Sequence, residues 1–539
     1  MAQSLAATVP ILERRTVVSS LIFPSRPYAS KPYRVLLFRR SDKVGTYQRK
    51  LAPVAGSVEA DDKSPLAAAW REIKEETGWG PQQLELWRKG AGFEFTDEKA
   101  VSGRDGGKPR GRIWKVWPFA YRLKATVPDQ DNDVNKLGLN LDWEHLGCEW
   151  RDVNDILDGK ILDDCVPKLE ITLGQLWVDP SSVLHQGLKE LRLDHEHGAR
   201  ELATMAIRSL VKIVEHDQRD RPPEDMEQWW RSFQQQAFHL AFNARPSMGA
   251  AISGAVAMAL KDAKEQFDAR GENPLDQVKH SLEAYIRRRS QITKQVSDQF
   301  SKFLQDRFKT SQTGTVGTRT IKILTLSSSS TIKAAILHTL DGDESLSLEL
   351  RILESRPLNE GASFAKMLTD EAQRRRESQS GGPCFHNRLR IILASDASVG
   401  ILGKDVDLVV IGADRISEAG DVSNKTGSLA ATVVSKFVTN GSVDVVCISE
   451  SEKVAIPGTI DEHQEEDNDK DELASSWHVQ PSAIWEEMVT VRNIYFEWCP
   501  AKHIDHYICE YGTLSTEDIR RRSTQTFELL QEVFPSENL

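Results

Sequence analysis

The chain of 539 residues contains no apolar run approaching the length of a membrane span. It carries no secretory signal at its N-terminus, so neither a membrane-embedded nor an exported protein is expected. Its six cysteines, Cys148, Cys165, Cys384, Cys447, Cys499 and Cys509, include no CxxC pair. Scattered thiols of this kind read as buried free cysteines in a reducing, cytoplasmic setting, not as a zinc site or a disulfide framework. There is also no excess of positive charge, the formal net charge being -11. That argues against a direct binder of nucleic acid or of anionic membranes and leaves room only for local basic pockets.

The remainder is the composition of a globular protein, 39% hydrophobic and 28% charged, long enough for two to four domains. Residues 1–15 read as a loose leader. Within 16–180, strands are expected at 16–23, 33–38, 84–87 and 113–121 from their β-branched and apolar content. The Gly-rich, basic stretch 102–111 reads as a hairpin tip, and 149–157 as the start of a closing helix. Residues 182–310 carry helical periodicity throughout. Within them Arg287, Arg288 and Arg289 read as a solvated helix face. From 317 to 539 the period changes. Apolar strands (320–326, 346–353, 389–394, 406–411, 443–448) alternate with helices (331–340, 362–376, 429–438). That pattern implies an α/β domain with a doubly wound parallel sheet covered on both faces. The stretch 377–383 is linker-like, and the acidic run 461–472 is too polar to bury and reads as a disordered insertion.

Chemistry concentrates first at 56–79. Ser64 then Pro65 reads as an N-cap followed by proline at the first helical position. Leu66, Ala69, Trp70, Ile73 and Thr77 recur at helical spacing, and Gly78 is placed to end the helix. Glu72, Glu75 and Glu76 fall at i, i+3 and i+4, so their carboxylates neighbour one another. A hard divalent cation, magnesium or manganese, takes oxygen ligands of this kind and relieves their repulsion.

This stretch resembles a Nudix box: Gly, five residues, Glu, seven residues, then Arg-Glu-apolar-x-Glu-Glu-x-Gly-apolar. Arg71 to Trp79 match every fixed position of the second half. In the first half, Gly56 to Arg71 is one residue longer than the family spacing, and Asp61 or Asp62 stands near the first Glu. The resemblance implies an α/β/α sandwich over 16–180 and a hydrolase of a nucleoside diphosphate linked to another group. Glu72, Glu75 and Glu76 would hold the metal, one of them serving as base, and Arg71 would orient them.

A second set of polar residues follows strand ends: Ser327 to Ser330, Glu354-Ser355-Arg356-Pro357, Ser395-Asp396, and Gly412-Ala413-Asp414-Arg415 with Asn424-Lys425-Thr426-Gly427. Ligands of doubly wound sheets lie beyond the carboxyl ends of the strands. Serines at a helix start suit an anion, and Arg356 suits a phosphate.

From about residue 184 onward the chain resembles the family shared by the alpha, beta and delta subunits of initiation factor 2B and by two sugar-phosphate isomerases. Those enzymes act on methylthioribose-1-phosphate and ribose-1,5-bisphosphate. Gly412-Ala-Asp-Arg-Ile with Asn424-Lys-Thr-Gly, Glu354-Ser-Arg-Pro and Ala244-Arg245-Pro246 carry the likeness, as does 493–512. It implies a helical subdomain (182–310) and a Rossmann-like domain (317–539). It also implies a pocket for a phosphorylated sugar or nucleotide built on Ser327, Arg356, Asp414, Asn424, Lys425 and Arg245. Ser327 stands where the isomerases have a catalytic Cys, and His197-Gly198-Ala199 where they have Arg-Gly-Ala. A serine hydroxyl is a weaker acid than a thiol and shuttles protons poorly unless a base activates it. Three functions follow as expectations: a hydrolase with a phosphosugar-binding domain, a regulatory module related to initiation factor 2B with a translation-factor partner, and a bifunctional hydrolase and isomerase. The family likeness also implies a homodimer.

Overall fold

The computed structural model describes residues 13–29, 31–97, 111–124, 137–194, 197–220, 223–245, 248–269, 271, 273–308, 319–377, 385–458, 460, 467–477, 479 and 482–534. The described chain forms two compact units. The first comprises 1–189, 223–244 and 534–539; the second comprises 190–222 and 245–533.

The first unit is built on an eight-stranded mixed sheet. Its strands are β1 (Glu13–Phe23), β2 (Arg34–Arg40), β3 (Leu51–Ala52), β4 (Val54–Ser57), β5 (Leu84–Lys89), β6 (Phe93–Asp97), β7 (Arg112–Leu123) and β8 (His145–Asp152). β1 and β7 pair in parallel along their whole length, from Glu13 opposite Arg112 to Phe23 opposite Arg122; β2 and β4 pair antiparallel to β1. Alternation along the strands splits their side chains between two cores. One core packs Val18, Ile22, Phe38 and Tyr121 against Ala68, Ala69 and Ile73 of the helix Pro65–Thr77. The other packs Leu21, Phe23, Leu37 and Trp87 against Leu169 and Leu173. The result is a sandwich with the sheet between helical layers.

Two local expectations change here. Residues 149–152 belong to strand β8, not to a helix; the helix starts at Val153, where Asp152 accepts from the Asn154 N–H at 2.9 Å. The helix Met226–Phe242, expected in the helical subdomain, groups with this first unit. Its C-terminal Asn243 pairs by side chain with the backbone of Lys89, accepting from N–H at 2.7 Å and donating to C=O at 2.8 Å. The hairpin tip expected at 102–111 lies outside the described residues except for Gly111.

That helix also buries His239 completely. Burial, with the Arg88 charge nearby, pushes its imidazole down to about 3. The ring is therefore neutral, and its Nδ1 accepts from the Asn243 amide at 3.0 Å. An unfolded histidine takes up a proton near pH 6.5, and the folded one does so only near pH 3. The first unit therefore holds this contribution fully above pH 6.5 and loses about 1.4 kcal/mol per pH unit as the pH falls below it. Chemical denaturation between pH 7 and 5 should show this slope, and His239→Gln should remove it.

The second unit carries a seven-stranded sheet of β9 (Arg319–Leu326), β10 (Leu346–Leu353), β11 (Leu389–Ala394), β12 (Leu408–Ile411), β15 (Asp444–Ile448), β17 (His506–Cys509) and β18 (Gly512–Leu514). Its order is β11-β10-β9-β12-β15-β17-β18, parallel except for the last pair. Successive strands run outward from β9 in one direction and from β12 in the other, so the topological switch lies between β9 and β12. Ile321 and Ile323 of β9 join one core with Val296, Phe300 and Phe364; Leu324 and Leu326 join the other with Ala431 and Ile519. A small antiparallel sheet of β13 (Arg415–Ile416), β14 (Val422–Lys425) and β16 (Phe496–Cys499) stands beside it.

Two readings of charged runs are corrected in this unit. Arg287 and Arg288 are 69% and 57% exposed, but Arg289 is 3% exposed and ion-paired with Glu452. Residues 461–466 lie outside the described residues, whereas 467–472 are ordered by hydrogen bonds. Asp467 accepts from the Asn493 N–H at 2.8 Å, and Glu472 from the Asn493 amide at 3.0 Å and from the Tyr495 hydroxyl. Among the described residues no helix is long and apolar enough to cross a membrane, and Cys148, Cys165, Cys447, Cys499 and Cys509 are free thiols. Cys384 lies outside them.

Candidate functional site

In the first unit the loop after β4 delivers the helix Pro65–Thr77. Ser64 accepts from the Ala67 N–H at 3.2 Å, and Gly78 closes the helix at φ 74°. Arg71 is the hub. Its Nη1 donates to Glu72 at 2.7 Å and to Glu75 at 3.3 Å, and its Nη2 donates to Asp62 and to the Ser57 carbonyl, both at 2.9 Å. Of the two aspartates in the lengthened loop, Asp62 is thus the one that meets Arg71, and the Glu59 N–H donates to the same Asp62 oxygen, Oδ2, at 2.8 Å. Gly56 lies directly beneath Glu72: a Cβ there would stand 1.9 Å from the Glu72 carboxyl carbon.

Glu76 turns the other way. It is buried and lies 2.5 Å from Nε2 of His145, the first residue of β8. Burial pushes its carboxyl up to about 7; His145 opposes the shift, and the charges of Glu72 and Glu144 add to it. Burial also raises Glu72, against the pull of Arg71. Glu75 is exposed.

These are oxygen donors that repel one another within a few ångströms of a low-dielectric core, which is the chemistry a hard divalent cation relieves. Glu72, Glu76 and Glu144 therefore fit such an ion in kind. Among the described residues no three acidic, histidine or cysteine side chains are already drawn together as a metal cage. Arg71 holds Glu72 and Glu75, and His145 holds Glu76.

In the second unit the carboxyl ends of the strands assemble the other site. Ser327 follows β9 at φ 63°, its N–H donating to Ser355 Oγ at 2.7 Å and its hydroxyl to Glu360 at 3.3 Å. Ser355 and Arg356 follow β10, their N–H groups both held by Asp396 at 2.8 Å. Asp396 is thus a backbone anchor. The Arg356 guanidinium donates to Ser476 Oγ. Lys425 lies 3.1 Å from Glu360 and over the rings of Tyr495 and Phe496. Ser355, Arg356, Glu360, Lys425 and Tyr495 line one cleft.

Asp414 follows β12. Burial raises its carboxyl, against the charges of Lys453, Lys425 and Arg245. Asn424 donates to Ser428 at 2.9 Å, and the Arg245 guanidinium donates to the Asp194 carbonyl. Pro246, the last residue of that sequence element, lies outside the described residues.

Five side chains escaped the sequence reading. His145 was hidden because 149–157 read as a helix, so β8 went unrecognised; Glu144 precedes it. Glu360 opens the helix Glu360–Glu377, three residues after the Glu354-Ser-Arg-Pro segment. Glu450 and Lys453 follow β15, a fifth strand end whose polar residues were a usable signal. Glu450 is fully buried. Burial works to raise it, but Lys453, the Thr331 hydroxyl and Arg200 outweigh burial and hold it down to about 2. Lys453 lies 3.1 Å from it and donates to the Ala413 carbonyl at 2.6 Å, beside Asp414.

A parallel α/β unit with a polar cleft at its strand ends, preceded by a sandwich carrying an arginine-centred acidic helix, defines a two-part architecture. Residues 195–373 and 383–516, more than half of the chain, match the Initiation factor 2 subunit family, and residues 14–168 match the NUDIX domain. The chain belongs to the Initiation factor 2 subunit family and carries a NUDIX domain ahead of that region.

Two curated relatives are isomerases. Ribose 1,5-bisphosphate isomerase of Methanocaldococcus jannaschii is 25% identical over 292 residues, 53% of this chain and 79% of that protein. Methylthioribose-1-phosphate isomerase of Syntrophotalea carbinolica is 28% identical over 137 residues, 24% of this chain and 37% of that protein. The chain thus spans only about a third of the length of the methylthioribose relatives it matches. Among solved structures, that of translation initiation factor eIF-2B, subunit delta, from A. fulgidus aligns at 17% identity with a TM-score of 0.43, covering 67% of this chain and 94% of that one.

Proposed function

We propose that the first unit hydrolyses a phosphoanhydride in a nucleoside diphosphate linked to a second group, and that the second unit binds a phosphorylated sugar or nucleotide. The observation that carries the first half is Glu72, seated over Gly56 and fixed by Arg71, beside the buried pair Glu76 and His145. Glu72 and Glu76, with Glu75 or Glu144, would hold magnesium or manganese. When bound, the ion supplies charge stabilisation at the reacting phosphate and a more acidic water. Arg71 keeps two carboxylates in fixed directions through charge-assisted hydrogen bonds. His145 fixes Glu76 and leaves one Glu76 oxygen free of it. Glu76→Gln is expected to abolish metal-dependent product release from nucleotide sugars or dinucleotides with an unchanged melting curve.

Support for the second half is the cleft that brings Arg356 and Lys425 together under Tyr495. Its cations suit a phosphate, and Asp414 lies within the field of Lys425. A homodimer is the partner state we assign to the chain. A regulatory reading, in which this unit binds without chemistry alongside a translation factor, draws on one observation: Arg356 is already engaged by Ser476, just after the acidic segment.

A further inference from the structure

Charged side chains inside a protein come with partners, because burying an unpaired charge is costly. Two buried cations of the first unit's sheet obey this. Arg88 donates to the Leu176 carbonyl at 2.9 Å, and Arg112 lies 3.4 Å from Glu13. Lys115 does not. It is 7% exposed, yet among the described residues no carboxylate pairs with it. Its Nζ stands 5.3 Å from the centroid of the Trp117 ring, and a ring face offsets only part of the cost of desolvating an ammonium group. Glu94, directly opposite in the register of β6 and β7, gives its carboxylate to Arg14 at 3.3 Å. Gly92 packs on the indole so closely that a Cβ there would stand 3.1 Å from two ring atoms.

The register puts this cation on the face of the acidic helix. Trp117 packs in the core that contains Ala68, Ala69 and Ile73 of that helix, and Lys115, two residues earlier on β7, shares its face. The carboxylates lie on the same face. Gly56, beneath Glu72, pairs with Val18, and Val18 pairs with Trp117. Lys115 pairs with Thr16, whose carbonyl accepts from the Val58 N–H at 3.0 Å. Lys115 is therefore two strand spacings from the strand beneath Glu72, roughly 10 Å across the sheet, and one row along. That separation exceeds one anhydride link and falls where a group attached to the anhydride would lie.

We propose that Lys115, backed by Trp117, is an anion subsite of the first unit, and that the group linked to the nucleoside diphosphate carries an oxyanion of its own, a phosphate or a carboxylate. The inference rests on the hydrolase reading of the acidic helix and narrows its substrate class. The oxyanion completes the pairing that the protein leaves open. A neutral linked group leaves the ammonium covered and unpaired, so the subsite rejects such substrates as well as favouring charged ones.

The test uses the full chain with magnesium and two matched pairs of probes: UDP-glucuronate against UDP-glucose, and NADP⁺ against NAD⁺. The first pair differs by a carboxylate and the second by a phosphate. Wild type should favour the charged member of one pair by about tenfold or more in kcat/KM, the scale of one charge-assisted contact. Lys115→Met should bring that ratio close to one, mainly through KM. The same variant should raise the midpoint of the first unit's thermal unfolding, because a cation buried without a partner is then gone. A structural lysine would do the opposite, so a lowered midpoint overturns the assignment. Hydrolysis without preference in either pair, or a preference that survives in Lys115→Met, overturns it while leaving the hydrolase reading intact. No hydrolysis of any of the four overturns both.

Discussion

Gly56→Ala is expected to lower metal-dependent hydrolysis by the first unit about 100-fold, the scale of a misplacement of about 1 Å at a reacting centre. Its unfolding midpoint should barely move. The new methyl group would overlap the Glu72 carboxyl carbon at 1.9 Å. That group is the free end of a flexible side chain, so Glu72 rotates away at little cost in stability. Rotation breaks its 2.7 Å bond to Arg71 and removes one carboxylate from the set beside Glu76. Steady-state hydrolysis alongside a thermal melt separates the two effects. Loss of stability without loss of turnover would mean that Glu72 serves the fold and not the reaction.

Arg289→Leu is expected to cost the second unit roughly 3–5 kcal/mol, as removal of one partner of a buried ion pair does. Arg289 makes two bonds to Glu452, and its Nη2 also donates to the Arg200 carbonyl at 3.1 Å. Burial already pushes the Glu452 carboxyl up, with Arg289 opposing; without the arginine that opposition is gone. The double variant Arg289→Leu, Glu452→Leu should recover most of the loss, because no charge is then left buried without its partner. Denaturant unfolding of the two variants measures the difference.

These two sites were unequally legible in the sequence. Ser64, Pro65 and Gly78 mark the ends of the acidic helix because caps and helix breakers act locally. The apolar strands of the second unit are as plain, since burial on both faces leaves no polar alternation to misread. Arg289 was legible too: Val278, Leu282, Tyr285, Arg289 and Val296 share one helical face, and reading the three arginines as one run hid it. Other features depend on distant chain. Asn243 finds Lys89 across 154 positions. His145 reaches Glu76 across 69, and Glu360 reaches Lys425 only because β10 and β14 end beside the same cleft. Periodicity within a window carries no information about such pairs.

The most direct measurement is magnesium-dependent product release from a panel of nucleotide sugars, dinucleotides and dinucleoside polyphosphates, with Glu76→Gln run beside the wild type. Hydrolysis of one class, dependent on the metal and lost in the variant, is the predicted result. It would also name the phosphorylated sugar to offer the second unit. Turnover unchanged by Glu76→Gln, or none across the panel with the metal present, would contradict the account and leave the regulatory reading ahead.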